Sequence, residues 1–212
     1  QWTQNEKDEF CRWLARMTAS CGFPFIWVEN PVWRKFCAKY LPQAPTISRN
    51  TLANRWIPDE VQQYRQQAIE QSKGSLVTIQ CDGWTGVNFR HYIGFMVGTD
   101  KRQVHPVHVY DASNKPKTAV NLYTVIQDVR QDLEKNWGVQ VIAICSDSSG
   151  ESLKARKLAL KDSPELMVPS CYAHQVFVIS LLDYATFNVH IGCSCHWQLL
   201  SYGKNGFYDI IC

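Results

Sequence analysis

"SLVTIQCDGWTG", residues 75–86, is the stretch on which the reading of this chain turns. Ser75 to Cys81 is a β-branched and apolar run that suits a strand, and it ends in Asp82, followed by Gly83, Trp84 and Thr85. Alone, an Asp-Gly after a strand reads as a plain turn. A second stretch, "VQVIAICSDSSGES" at residues 139–152, changes its weight, because another apolar run delivers an aspartate, Asp147, at its end. Such a nearly continuous run marks a central strand covered on both faces.

Between the two stretches, "HYIGFMVGT" and "QVHPVHVYDA" are further strand-like runs joined by short turns, as in an antiparallel meander. Thr118 offers an N-cap to a long helix with Leu122, Val125, Ile126, Val129, Leu133 and Trp137 on one face, closed by Gly138. After Asp147 come a helix from about Ser149 to Lys161, a short strand "LMVPSC" and a helix "YAHQVFVISLLDY". The expected fold is therefore α/β, in the order β-β-β-α-β-α-β-α. With the first and fourth strands side by side and parallel, Asp82 and Asp147 meet beyond their carboxyl ends, where such sheets place ligands.

Upstream, the pattern is helical. Phe10, Trp13, Leu14 and Met17 recur at helical spacing up to Cys21-Gly22; "NPVWRKFCAKYL" reads as a short helix with Pro31 in its first turn; Ser48 is a helix start; and a polar helix runs from about Pro58 to Ser72. The expected organisation is a helical region at 1–74, an α/β core at 75–183 and a tail at 184–212 without helical or strand periodicity. With 212 residues, 45% hydrophobic and 19% charged, the chain is globular rather than disordered. Its formal net charge of +3 permits a polyanionic partner without arguing for one. No apolar run approaches the roughly 18 residues of a membrane span. Nine cysteines, among them Cys81 and Cys145 inside strands and Cys11, Cys21 and Cys37 in or beside helices, read as small buried hydrophobes in a reducing, intracellular compartment. The chain begins at Gln1 without an initiator Met, and is read as a fragment.

Two aspartates converging from rigid strands repel each other unless a cation or proton lies between them. Carboxylate oxygens suit Mg²⁺ or Mn²⁺, and a pair of such ions can activate an attacking oxygen and stabilise a leaving one in phosphodiester cleavage. The order of elements is that of the ribonuclease-H-like fold.

The pieces "CGFPFIWVENPVWRKF", "LVTIQCDGWT", "YIGFMVG", "KTAVNLYTVIQDV", "AICSDSSGESLKARKLA" and "CYAHQVFVIS" together resemble the hAT (hobo/Activator) superfamily of DNA transposases, over roughly residues 20–183 and in that family's order. The resemblance implies an RNase-H-like core, with Asp82 and Asp147 as the first two acids of a DDE-type triad holding Mg²⁺ or Mn²⁺. It implies that Cys171 and His174 form the family's C-x-x-H motif, His174 assisting near the transposon end. DNA is the implied partner in the nucleus, with self-association in full-length relatives. The family's third acid is a Glu beyond a large helical insertion; the sequence stops at Cys212 before any match to it, and the family's zinc finger has no counterpart here. The 212-residue chain is thus expected to bind DNA weakly and to be inactive, with a domesticated nucleic-acid or protein-binding module as the alternative.

Other candidates have plainer readings. Ser148 to Glu151 has the S-x-x-E spacing of a capping box, which would tie Glu151 to the Ser148 backbone and remove it as a third acid. Asp111 reads as a turn residue before Ser113. Lys154, Arg156, Lys157 and Lys161 form a basic helix face, solvated or set against a DNA backbone. Gly83 is expected to permit an unusual turn, with Trp84 packed beneath it. Cys171, His174, Cys193, Cys195 and His196 could supply four zinc ligands, but the C-x-C-H spacing is unusual.

Overall fold

The computed structural model describes residues 1–171. The chain divides into two compact units, one of Gln1–Gln67 and one beginning at Ala68.

The first unit is helical. Helix α1 (Gln4–Cys21) starts with Thr3 and Glu6 capping each other's backbone amides and ends at Gly22 in the left-handed region, φ 63°. Helix α2 (Pro31–Tyr40) is capped by Asn30, whose side chain accepts from the amides of Val32 and Trp33. Ser48 caps α3 (Arg49–Thr51), as its residue type suggests. One expectation is corrected here: α3 does not stop before a separate helix at Pro58 but runs through a π turn (Leu52–Trp56) into α4 (Ile57–Ser72). Pro58 has no N–H to give, and a widened turn, with Ile57 donating to the Leu52 carbonyl, carries the helix past it. Cys11, Leu14, Ala15, Val28, Leu52 and Trp56 form this unit's core. Cys21, expected to be a buried hydrophobe, is exposed, because it lies in the last turn of α1 on its solvent side.

The second unit is α/β. Strands β1 (Leu76–Thr85), β2 (His91–Thr99) and β3 (Val104–Asp111) form the antiparallel meander, and β4 (Gln140–Ser146) adds to β1 in parallel, giving the order β3-β2-β1-β4. Beyond β4, the "LMVPSC" run makes only two parallel bridges, Ala143 to Met167 and Ser146 to Ser170. Helix α5 (Ala119–Asp132), capped by Thr118, and helix α6 (Gly150–Asp162) supply the cover of one sheet face. The apolar side of α5 read from its spacing is the buried side: Leu122, Val125, Ile126 and Val129 pack with Ile79, Phe95, Val97 and Ile144. Among the described residues, no helix is long and apolar enough to cross a membrane.

His105 gives this unit a pH dependence. Its side chain lies 6% exposed in β3, and burial holds its pKa below the ordinary 6.5. The unfolded chain therefore takes up this proton more readily than the folded one. The His105 contribution is complete above about pH 6.5 and is lost as pH falls below it, by at most about 1.4 kcal/mol per pH unit. Urea midpoints at about pH 7.5 and 5.5 should differ more for the parent than for His105→Gln; equal differences would remove His105 from the account.

Candidate functional site

The two aspartates reach one place by different routes. Asp147 follows the last residue of β4, as expected. Asp82 departs from expectation in that β1 does not end there. Its pairing with β4 stops at Cys81–Ser146, while its pairing with β2 continues to Thr85–His91, so that Asp82 sits opposite Gly94 inside a longer hairpin. Asp82 therefore marks the point at which β1 loses its parallel neighbour, and the gap opens toward Asp147. Both residues line a single cleft of about 70 Å³ with Gly83, His91, Lys117, Ser149 and Glu151. That volume suits a hydrated ion or a few waters, far below the roughly 300–1,000 Å³ of a pocket for an organic ligand.

Local bonds hold these groups. The Asp82 carboxylate accepts from the Gly83 amide at 2.9 Å, and that of Asp147 accepts from Ser149 Oγ at 3.0 Å. Behind them lies the Cys81 thiol. Burial first, then the charges of Asp147, Cys145 and Asp82, push its pKa up to about 12. A thiol held neutral in this way is a poor nucleophile. The Cys145 thiol is likewise raised, chiefly by burial.

Several readings change. Gly83 takes no left-handed conformation; the glycines with positive φ among the described residues are Gly22, Gly74 and Gly138. Its missing side chain instead makes room for the ring of His91, 3.4 Å from where a Cβ would stand. Trp84 packs on the ring of Tyr92, centroids 5.7 Å apart, and covers Gly94 at 3.0 Å from a would-be Cβ. The cap of α6 is Ser149, not Ser148: its Oγ accepts from the Ser152 amide. Glu151 is consequently at the second helical position and outside any capping box, and it is among the residues lining the cleft. Asp111 is the turn residue expected, accepting from the Ser113 amide at 3.0 Å and pairing with Arg90 at 3.3 Å, on the strand furthest from β4.

The largest correction concerns Arg156. It belongs to no solvated basic face: it is 1% exposed. One guanidinium nitrogen donates to the Ser146 carbonyl and hydroxyl and to the Asp147 carbonyl, at 2.8, 2.6 and 2.7 Å; another donates to Ser170 Oγ at 2.7 Å. Arg156 thus ties the end of β4, and the backbone of Asp147 itself, to the segment beyond it. Lys154, Lys157 and Lys161 do remain exposed. Of the C-x-x-H motif only Cys171 is described, its amide on the Ser146 carbonyl at 2.8 Å; His174 and the Cys193, Cys195 and His196 cluster lie outside the described residues.

As a metal site, the donors are hard oxygens, which fits an ion such as Mg²⁺ held by one or two carboxylates and otherwise by water. Among the described residues, no three His, Cys, Asp or Glu side chains form a group that could hold a metal ion. No protein-family model matches the chain, and no curated protein matches it either.

Proposed function

We propose that this chain carries an RNase-H-like core of the hAT transposase type, descended from an enzyme that cuts and joins DNA with Mg²⁺ or Mn²⁺. In this reading the 212-residue polypeptide holds such an ion weakly at Asp82 and Asp147, binds DNA weakly in the nucleus, and does not itself cleave it. One observation carries the proposal: two aspartates far apart in sequence line one cleft at the carboxyl-end side of two adjacent parallel strands. The order β3-β2-β1-β4, with a bridging segment beyond β4, supports the fold assignment. The metal would neutralise the paired carboxylates and polarise a phosphate, while Arg156 fixes the Asp147 backbone that positions one of them. A non-catalytic nucleic-acid or protein-binding module is the second reading, favoured by the lack of a three-residue ligand group among the described residues.

Mn²⁺ titration of the 212-residue chain tests the site. Weak binding is expected, with a loss of about tenfold or more in Asp82→Asn and in Asp147→Asn, because a Mn²⁺ site with two carboxylates cannot spare one. Binding indifferent to both substitutions would end the assignment. Supercoiled DNA incubated with the chain and Mn²⁺ should stay intact; nicking that disappears in Asp82→Asn would show the chain to be an active nuclease.

A further inference from the structure

We infer that the tip of the β1–β2 hairpin is a wedge, Phe89 with Val87 inserting between stacked bases of a nucleic acid whose backbone lies at the Asp82 and Asp147 cleft. This rests on the reading of that cleft as a nucleic-acid site and adds a recognition element outside it.

The first observation is exposure. Val87 and Phe89 are 102% and 92% exposed, two apolar side chains with essentially no cover. The second is backbone conformation. Phe89 has φ 61°, in the left-handed region. Its amide donates to the Gly86 carbonyl, and the Gly86 amide donates to the Arg90 carbonyl, both at 2.9 Å. The left-handed position of such a short hairpin connection ordinarily falls to glycine or asparagine, which adopt it with little strain. A phenylalanine there is strained and gains nothing from burial. The fold itself gives no reason for this residue type, and an observed backbone outlier is a starting point for a functional hypothesis.

The third observation is that the tip is built to hold this shape. Asn88 Nδ2 donates to the Tyr92 hydroxyl at 3.0 Å, and Asn88 Oδ1 accepts from the Arg90 amide at 3.1 Å. Tyr92 is 2% exposed in the sheet, and Arg90 is tied to Asp111. The side chain of Phe89 is therefore presented on a braced loop, which a stacking element requires if insertion is not to cost the ordering of the loop.

Position selects the occupant. The hairpin continues β1 beyond Asp82, and the four residue steps from Asp82 to Gly86 span about 13 Å at strand rise. That is roughly four base steps of a strand whose phosphate sits at the cleft. Apolar side chains on rigid elements wedge between base steps, and aromatic rings stack on bases of any identity. Lys117 lines the cleft, and Arg90, paired with Asp111, lies beside the tip, so two basic side chains stand along the same path.

The test uses the 212-residue chain and a short DNA duplex carrying 2-aminopurine, whose fluorescence rises when it unstacks. The parent and Phe89→Trp should raise the signal several-fold. Phe89→Ala should abolish the rise and weaken binding about tenfold, the loss of one stacked base. Phe89→Gly relieves the backbone strain and should melt at or above the parent temperature while losing the signal, which separates a lost wedge from a lost fold. Binding by the parent without unstacking, or equal behaviour of Phe89→Ala, overturns the wedge and leaves the cleft reading standing. A parent chain that binds no DNA even at low salt overturns both.

Discussion

Arg156→Met should lower the stability of the α/β unit by about 3 kcal/mol, seen as a fall in the urea midpoint of about 1 M or more. The guanidinium is almost wholly buried, and it donates to the carbonyls of Ser146 and Asp147 and to the hydroxyls of Ser146 and Ser170. Hydrogen bonds from a charged donor are worth about 1.5–3 kcal/mol each and are not additive within one cluster. Methionine keeps the length of the stem but leaves the Ser146 and Asp147 carbonyls and the Ser170 hydroxyl without that donor. Arg156→Lys should recover only part of the loss, since a single ammonium cannot reach both the Ser146–Asp147 backbone and Ser170 as the planar fork does. A midpoint for Arg156→Met within experimental error of the parent would show that these bonds carry no net stability. Full rescue by lysine would show that charge alone, without the fork, suffices.

Much of this architecture was legible because local pattern and tertiary position agree. The α5 stripe is buried as its spacing says, and Thr118 and Gly138 bound the helix and its π turn where their chemistry says. The adjacency of β1 and β4 followed from two apolar runs each ending in an aspartate. Arg156 was hidden by its neighbours: with Lys154, Lys157 and Lys161 it reads as one more surface cation. The available signal was the helical stripe Ser152, Ala155, Arg156 and Ala159, all buried. Small residues around an arginine on the face toward the sheet leave space for a guanidinium, and charge counting passes over that space. The cap of α6 slipped by one residue for a different reason. Ser148 and Ser149 are equally able caps by type, and Ser149 is also the one that reaches the Asp147 carboxylate. His91 entered the cleft through hairpin register, which sets it beside Gly83; the glycine was visible in the sequence, but its role as clearance for a partner strand's ring was not.

Trp137→Ala should cost about 3–5 kcal/mol, the range for removing a fully buried large aromatic without collapse of its site. Trp137 is 1% exposed and lies in the core with Leu133, which is 0% exposed. The two residues bracket a π turn, Leu133–Trp137, at the end of α5. That wider turn is what the chain needs to set both side chains inward while bringing Gly138 to the left-handed φ of 63° that reverses its course. The reversal matters to both strands of the candidate site. The Gly138 carbonyl accepts from the Gly74 amide at 2.9 Å, and the Gln140 amide donates to the Ser75 carbonyl at 3.0 Å, so β1 and β4 start in register at this corner. Loss of the indole removes the packing under that corner, at the end of the strands opposite to Asp82 and Asp147. Trp137→Phe should cost distinctly less, about 1–2 kcal/mol, because it leaves a smaller void. Urea denaturation followed by far-UV circular dichroism reads both values. A cost below about 1 kcal/mol for Trp137→Ala would mean that the corner is held by the two backbone bonds and the strand pairing alone.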